Sequence, residues 1–198
     1  MTDPIERTLV LLKPESVERG ICGEIITRFE RMGLKIVGLK MVKPALETCK
    51  QHYPFTEEWA LSAGKKALDN LKERGIVTDK TEIELAKEIN DELINYFMKD
   101  PTPVIAIVLE GHMVIEIVRK MAGSTNPLKA APGTIRGDFS QDSYVLSDYF
   151  KRPTANVIHA SDSPETAKRE INVWFKPEEL ISYSNLHDKL SYFWNTLQ

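Results

Sequence analysis

Apolar residues along the chain fall into four strand-like runs separated by segments of helical period. Residues 8–12 (TLVLL) are continuously apolar and stop at Lys13-Pro14, the pattern of a buried strand whose end faces a loop. In residues 24–32, Ile25, Phe29 and Met32 recur at i, i+4 and i+7, and Gly33 follows as a helix stop. Residues 34–42 alternate, Leu34 and Ile36 against Lys35, then Leu39 and Met41 against Lys40. That predicts a half-buried strand with Gly38 as a candidate bulge. Residues 104–109 (VIAIVL) form a further core strand, and residues 112–122 a helix with Val114, Val118 and Met121 inward. Residues 156–161 (NVIHAS) complete the set, and Ser163-Pro164-Glu165 supplies an N-cap and a first-turn proline for a helix reaching about Trp174.

The middle of the chain has a different texture. Residues 57–74 and 81–98 are charged and helical in period, with Gly75 in the turn between them. Thr81-Glu82-Ile83-Glu84 reads as a capping box, and Ala86, Ile89, Leu93 and Phe97 share one face. Asp100-Pro101-Thr102-Pro103 ends the block. Residues 123–137 form a loop rich in Gly, Pro, Ser and Thr, a kind that often carries function. Without the middle helices the order is strand–helix–strand twice over. This predicts an α+β, ferredoxin-like (βαβ)2 sandwich, its helices over one face of a four-stranded antiparallel sheet, with an inserted helical segment.

Composition narrows the classes. The 198 residues suit one domain carrying an insertion, and 42% hydrophobic with 28% charged residues is ordinary globular usage. Lys and Arg total 26 against 29 Asp and Glu, so the formal net charge is −3, which argues against a nucleic-acid binder. No run reaches the length of a membrane span, and the start, MTDPIERTLVLLKPE, lacks a signal-peptide pattern. Cys22 and Cys49 alone support neither a disulfide framework nor a zinc site, so a reducing, cytoplasmic setting is expected. P-loop, dinucleotide-binding, nucleophile-elbow and HExxH motifs are missing, and His52, His112, His159 and His187 are widely separated, so no metal site of the protein's own is expected.

Taken alone, His159 reads as a half-buried structural histidine at a strand end. Its company changes the weighing. Lys13 ends the first strand, and Arg119, Thr125 and Arg136 come from the neighbouring βαβ unit. Each cation alone reads as solvated surface. Two arginines, a lysine and a hydroxyl converging from strand ends would form an anion cradle around an imidazole.

These residues resemble the nucleoside diphosphate kinase family. NVIHASDS (156–163) looks like its active-site signature. TLVLLKPE (8–15), Glu110-Gly111, Arg119, GSTNP (123–127), PGTIRGDF (132–139) and WFKPEEL (174–180) follow the family's order. The resemblance covers residues 6–53, 103–140 and 154–183. It implies a single kinase domain over residues 1–198, with a helical insertion at about 54–101 and a shorter one at about 141–154.

The resemblance also implies transfer of the γ-phosphate of a nucleoside triphosphate, typically ATP, to a nucleoside diphosphate, by a ping-pong route through a phosphohistidine. His159 would be the nucleophile, and Glu170, by itself an ordinary helix carboxylate, would hold the other ring nitrogen with Ser161 completing the network. Lys13, Arg119, Thr125 and Arg136 resemble the phosphate ligands, Asn156 the residue that reads the sugar hydroxyls, and Tyr53 the tyrosine near the phosphates. Mg²⁺ is expected on the nucleotide phosphates, and a homo-oligomer, hexamer or tetramer built on dimers, with residues 183–198 as a further contact. The base-stacking aromatic has no match; Trp59 and Phe97 are candidates. A nucleotide-sensing module of the same fold without transferase activity, and an RNA-binding module, are the competing readings; the second lacks an aromatic-rich strand. Residues 57–98 are expected to form an ordered lid over the nucleotide, or alternatively a subunit contact.

Overall fold

The uninterrupted apolar run of the first strand is explained by burial on both of its faces. In the computed structural model, which describes residues 5–98 and 102–191, Leu9, Val10, Leu11 and Leu12 are fully buried. They belong to β1 (Ile5–Leu12), followed by a short helix α1 (Pro14–Glu18), α2 (Cys22–Arg31), β2 (Lys35–Val42) and α3 (Leu46–His52). Next come the helical pair α4 (Glu57–Glu73) and α5 (Glu82–Met98), β3 (Val104–His112), α6 (Val114–Ala122), α7 (Ile135–Phe139), α8 (Tyr144–Tyr149), β4 (Ile158–Ala160), α9 (Pro164–Trp174) and α10 (Leu186–Ser191). The sheet order is β2-β3-β1-β4 and every pairing is antiparallel, which is the α+β, ferredoxin-like arrangement expected.

Both faces of the sheet are covered, in contrast to the single covered face predicted. On one face, Val10, Leu12, Ile107 and Ile158 pack with Ile25 and Phe29 of α2 and Val114 and Val118 of α6. On the other, Leu9, Leu11, Ala106 and Val108 meet Cys49 of α3, Phe97 of α5 and Ile171 and Trp174 of α9. Alternation along β1 therefore feeds two cores, and only a strand with apolar residues on every position serves both.

Other departures have local causes. Met32 lies past the end of α2 and is 52% exposed, so only Ile25 and Phe29 of the predicted stripe face inward. The helix expected from residue 112 starts at Val114, because β3 runs on to His112 and Met113 turns the chain with φ 47°. The predicted bulge stands: register shifts between Ile36 and Gly38. The segment 123–137, read as a loop, contains a 3-10 turn and the start of α7, and the shorter insertion at 141–154 contains α8; each is opened by a side chain that accepts a backbone N–H: Asn126, Thr134 and Ser143. Asp100 and Pro101 of the predicted breaker, the first four residues, and residues 192–198 of the tail lie outside the described residues.

The middle helices pack tightly on each other. Thr81 and Glu84 form the reciprocal capping box, with Thr81 N–H donating to Glu84 Oε2 (2.8 Å) and Glu84 N–H to Thr81 Oγ1 (3.3 Å). Gly64 sits inside α4 where a Cβ would come within 1.9 Å of the Glu82 carbonyl oxygen. In an open helix Gly→Ala gains roughly 1 kcal/mol. Here the obstacle is backbone, which cannot rotate away, so Gly64→Ala is expected to destabilise by ~1–3 kcal/mol, the scale of overpacking. Thermal denaturation checks this; an unchanged or raised Tm would show that the two helices are not held in contact.

Candidate active site

The site lies where β4 faces α3 and α9, and a strained residue sets its position. Val157 adopts φ 59°, an unusual state for a β-branched side chain, and β4 begins only after it, at Ile158. The segment after β1 holds it there. Lys13 N–H (3.0 Å) and Ser16 Oγ–H (2.6 Å) both donate to the Val157 carbonyl, and Val157 N–H donates to Glu15 Oε1 (2.8 Å). The residues Lys13-Pro14-Glu15-Ser16 thus clasp the chain just before His159.

With Ile158 and Ala160 turned into the α2–α6 core, alternation points His159 to the other face. There His159 Nε2 lies 2.9 Å from Glu170 Oε2, and Ser161 Oγ–H donates to the same oxygen at 2.7 Å. Leu9 N–H in turn donates to Ser161 Oγ. Glu170 is only 2% exposed. Burial on its own would raise its pKa, but the His159 and His52 rings and the Ser161 hydroxyl hold it down, to about 2. The carboxylate is therefore ionised and accepts from Nε2–H, which leaves Nδ1 of His159 as the unprotonated nitrogen.

The cationic side chains gather beside it. Lys13, 5% exposed, donates from Nζ to Asn156 Oδ1 (2.7 Å), and Asn156 Nδ2–H donates to the Thr125 carbonyl (2.9 Å). Burial lowers the Lys13 ammonium to about 8, with Glu15 opposing and Arg136 adding to the shift. Arg136 is likewise lowered, to about 10, by burial and by the neighbouring charge of Arg119. Cations that depress one another are short of counter-charge, and such a cluster favours an anion.

Arg136 departs from the simple picture of a phosphate ligand. Its Nε, Nη1 and Nη2 donate to the carbonyls of Asn156 (3.3 Å), Gly123 (2.7 Å) and Ile158 (2.8 Å), so it also holds the loop and β4 together. Gly123 accepts it with φ 81° and no room for a Cβ against Thr134 Oγ1. Arg119 and Thr125 are exposed at the rim. Tyr53 packs edge-on, its ring centroid 6.3 Å from that of His159. All nine residues singled out from the sequence thus border one site or its rim.

Further residues border the site without a motif to mark them. His52, distant from His159 in sequence, places its ring centroid 4.5 Å away; an imidazole next to Tyr53 at a helix end was the available signal. Glu15 also bonds the Tyr96 hydroxyl of α5, so the middle helices reach the cradle. Of the two stacking candidates, Phe97 is excluded because it is buried (1% exposed) beneath His52 and Tyr53, whereas Trp59 stays part-exposed beside Phe55. The sequence model of the family described as nucleoside diphosphate kinase matches residues 6–69 and 81–180. The unmatched residues 70–80 are the end of α4 and the turn into α5. A protein of Pyrobaculum aerophilum named nucleoside diphosphate kinase is 46% identical over 90% of this chain and 99% of its own, and one of Pyrococcus horikoshii is 45% identical over 92% and 93%. The crystal structure of the Pyrobaculum NDP kinase superposes with a TM-score of 0.85 at 46% identity, covering 90% of this chain and 100% of that one. A Borrelia burgdorferi enzyme, solved as a transition-state mimic with vanadate and ADP, gives 0.77 at 35% identity over 96% and 98%. Match length, identity and shared fold agree: the chain belongs to the nucleoside diphosphate kinase family and is a phosphotransferase.

Proposed function

We propose that the protein transfers the γ-phosphate of a nucleoside triphosphate, typically ATP, to a second nucleoside diphosphate through a phosphohistidine on His159. The observation that carries this reading is the Glu170–His159 pair, which keeps a proton on Nε2 and a lone pair on Nδ1. In the first half-reaction Nδ1 forms an N–P bond to the γ-phosphorus while the bond to the β,γ-bridging oxygen breaks, and the nucleoside diphosphate leaves. Nε2 keeps its proton, and Glu170 offsets the charge on the ring. The second half-reaction reverses these steps with a different diphosphate as acceptor, which gives ping-pong kinetics. A P–N bond is labile enough to return the group at nearly equal transfer potential.

Lys13, Arg119, Thr125 and Arg136 would hold the phosphates and offset charge on the equatorial oxygens. Asn156 reads the sugar hydroxyls by exchanging one of its present bonds, to Lys13 or to Thr125. Tyr53 lies beside the transferred group. The vanadate and ADP in the Borrelia relative support this reading. Mg²⁺ belongs to the substrate, on the nucleotide phosphates. Among the described residues the one trio of metal-ligand type is His52, His159 and Glu170, in which Glu170 accepts from His159 and Ser161 and His52 Nδ1 accepts from Trp174.

Residues 1–198 form one kinase domain on this reading, with α4 and α5 as an ordered lid over the nucleotide and the insertion 141–154 contributing α8. A homo-oligomer is supported by β2, an edge strand with Leu39 and Met41 50% and 60% exposed, since a monomer leaves such an edge open to pairing. No helix of the described residues is long and apolar enough to cross a membrane. The thiols of Cys22 and Cys49 are free, in keeping with a reducing cytoplasm.

Three experiments test the chemistry. Incubation with γ-labelled ATP should leave acid-labile, base-stable label on the protein, and His159→Ala should abolish label and turnover, a loss of roughly 10³-fold or more, while nucleotide binding survives. Label on His159→Ala, or none on the natural protein, would defeat the assignment. Arg119→Ala should lower kcat/KM roughly 10²-fold without changing Tm, whereas Arg136→Ala should lower both, because it also ties three carbonyls. Equal stability of the two variants would show those carbonyl bonds to be idle. The Lys13 ammonium deprotonates as pH rises through about 8, so KM for the nucleotide should climb above that pH, approaching tenfold per unit. A KM flat to about pH 10 would place the needed cation elsewhere.

A further inference from the structure

One buried group beside the nucleophile has no part in the steps above. His52 closes α3 with 2% exposure, and its ring stands edge-on to that of His159 at an interplanar angle of 79°. Its Nδ1 accepts the indole Nε1–H of Trp174 at 3.2 Å and lies 3.7 Å from Glu170 Oε1. Its Nε2 is buried without a hydrogen-bond partner. Indole nitrogen is a donor only, so Nδ1 must be the accepting nitrogen and the proton of the neutral ring sits on Nε2.

The surroundings disfavour a second proton. Burial weighs most, then the His159 ring on β4; Arg169 on α9 and Lys13 at the end of β1 act the same way, and Glu170 alone pulls towards the charged form. Phe97 of α5 adds an apolar wall, and from its own helix side come Tyr53 and Cys49, both pushed up by burial. The ring is held well below the ordinary histidine range, so it is neutral at physiological pH.

This neutrality matters for Glu170. Its Oε2 receives His159 Nε2–H and Ser161 Oγ–H, while its Oε1 faces His52 Nδ1 and, at 3.4 Å, Arg169 Nη2. A proton on Nδ1 would point from His52 to Oε1, draw the carboxylate's charge away from His159, and set a second cation against the ring that becomes positive on phosphorylation. We propose that Trp174 and His52 are positioning residues: the Trp174 indole N–H locks His52 as the neutral Nε2–H tautomer, which reserves Glu170 for His159. The proposal rests on His159 being the phosphoryl carrier.

Nitrogen NMR of the full chain labelled with ¹⁵N-histidine reads the tautomer directly, His52 being assigned by the signals lost in His52→Phe. A protonated Nε2 and bare Nδ1 that persist from about pH 8 to about pH 5 are expected. An Nδ1–H tautomer, or titration near the ordinary value of about 6.5, overturns the proposal. No turnover is needed for this reading, so a failure of phosphoryl transfer and a failure of the tautomer lock are told apart. Trp174→Phe keeps an aromatic side chain and removes the donor. Its single-turnover phosphorylation of His159 should match the natural protein at about pH 8 and fall progressively behind it as the pH drops and the unlocked His52 gains a proton. The acid loss should vanish in Trp174→Phe/His52→Phe. A loss equal at every pH and unrepaired in the double variant would mean that Trp174 only fills space and would overturn the proposal. Should Trp174→Phe fail to fold, the tautomer measured in the natural protein decides.

Discussion

An ionised carboxylate with 2% of its surface exposed is the constraint around which this site is organised. Removing a charge of that size from water costs several kcal/mol, and only donors of good geometry offset it. Glu170 finds them in His159 Nε2–H and Ser161 Oγ–H, drawn from the same short strand end. The requirement is mutual. Without Glu170, His159 has nothing to choose between its two tautomers, and without His159 the carboxylate loses most of what keeps it ionised. Stability and reactivity here are consequences of one pair, which is why Ser161, itself fully buried, is tied on to β1 through Leu9 N–H.

A second constraint is backbone strain. Placing a β-branched residue in the left-handed region costs on the order of 1–3 kcal/mol and persists only where the surroundings over-determine it. At Val157 three bonds from residues 13–16 do so, and the same segment joins the cationic cluster through Lys13. The twist brings Asn156 to Lys13 on one side and His159 to Glu170 on the other. Arg136 closes the arrangement by binding carbonyls on both sides of the strained residue, those of Asn156 and Ile158. Its lowered pKa, from burial and from Arg119, marks the same shortage of anions that Lys13 shows.

Much of this was legible in the chain. The TLVLL run, the Ser163-Pro164 start of α9 and the Thr81–Glu84 box each follow from local physics and appear where expected. So does the four-stranded antiparallel sheet, because apolar period and connection length leave few topologies. Residues 13, 119, 125, 136, 156 and 159 came from motif order. What was hidden is of another kind. The second covered face of the sheet depends on α3, too short to show a period, and on α9 packing from outside the two βαβ units. His52 and Trp174 bond only because α3 and α9 meet, a contact to which no spacing testifies. The burial of Phe97, a residue of ordinary helical period, was equally a matter of what α5 rests on. Local pattern reports which side of an element is apolar; it does not report which element lies against it.

The same distinction bears on how α4 and α5 are held. Their attachment to the rest of the molecule is unequal along its length. At the α5 end, Phe97 is buried against His52 and Tyr53, Asn90 Nδ2–H donates to the Tyr53 carbonyl at 3.0 Å, and Tyr96 reaches Glu15 beside the cradle. At the α4 end, the links are Lys129–Glu73, with both side chains more than half exposed, and Arg74–Asp148, with Asp148 similarly open to water. Exposed pairs contribute ~0–1 kcal/mol, whereas a buried phenylalanine contributes several times that. The α5 end therefore stays seated when the exposed pairs part, and the outer end is where these helices yield. The firm end is the one that touches His52 and Tyr53, the rings packed on His159, so the part of this helical pair nearest Glu170 is also the part most strongly held.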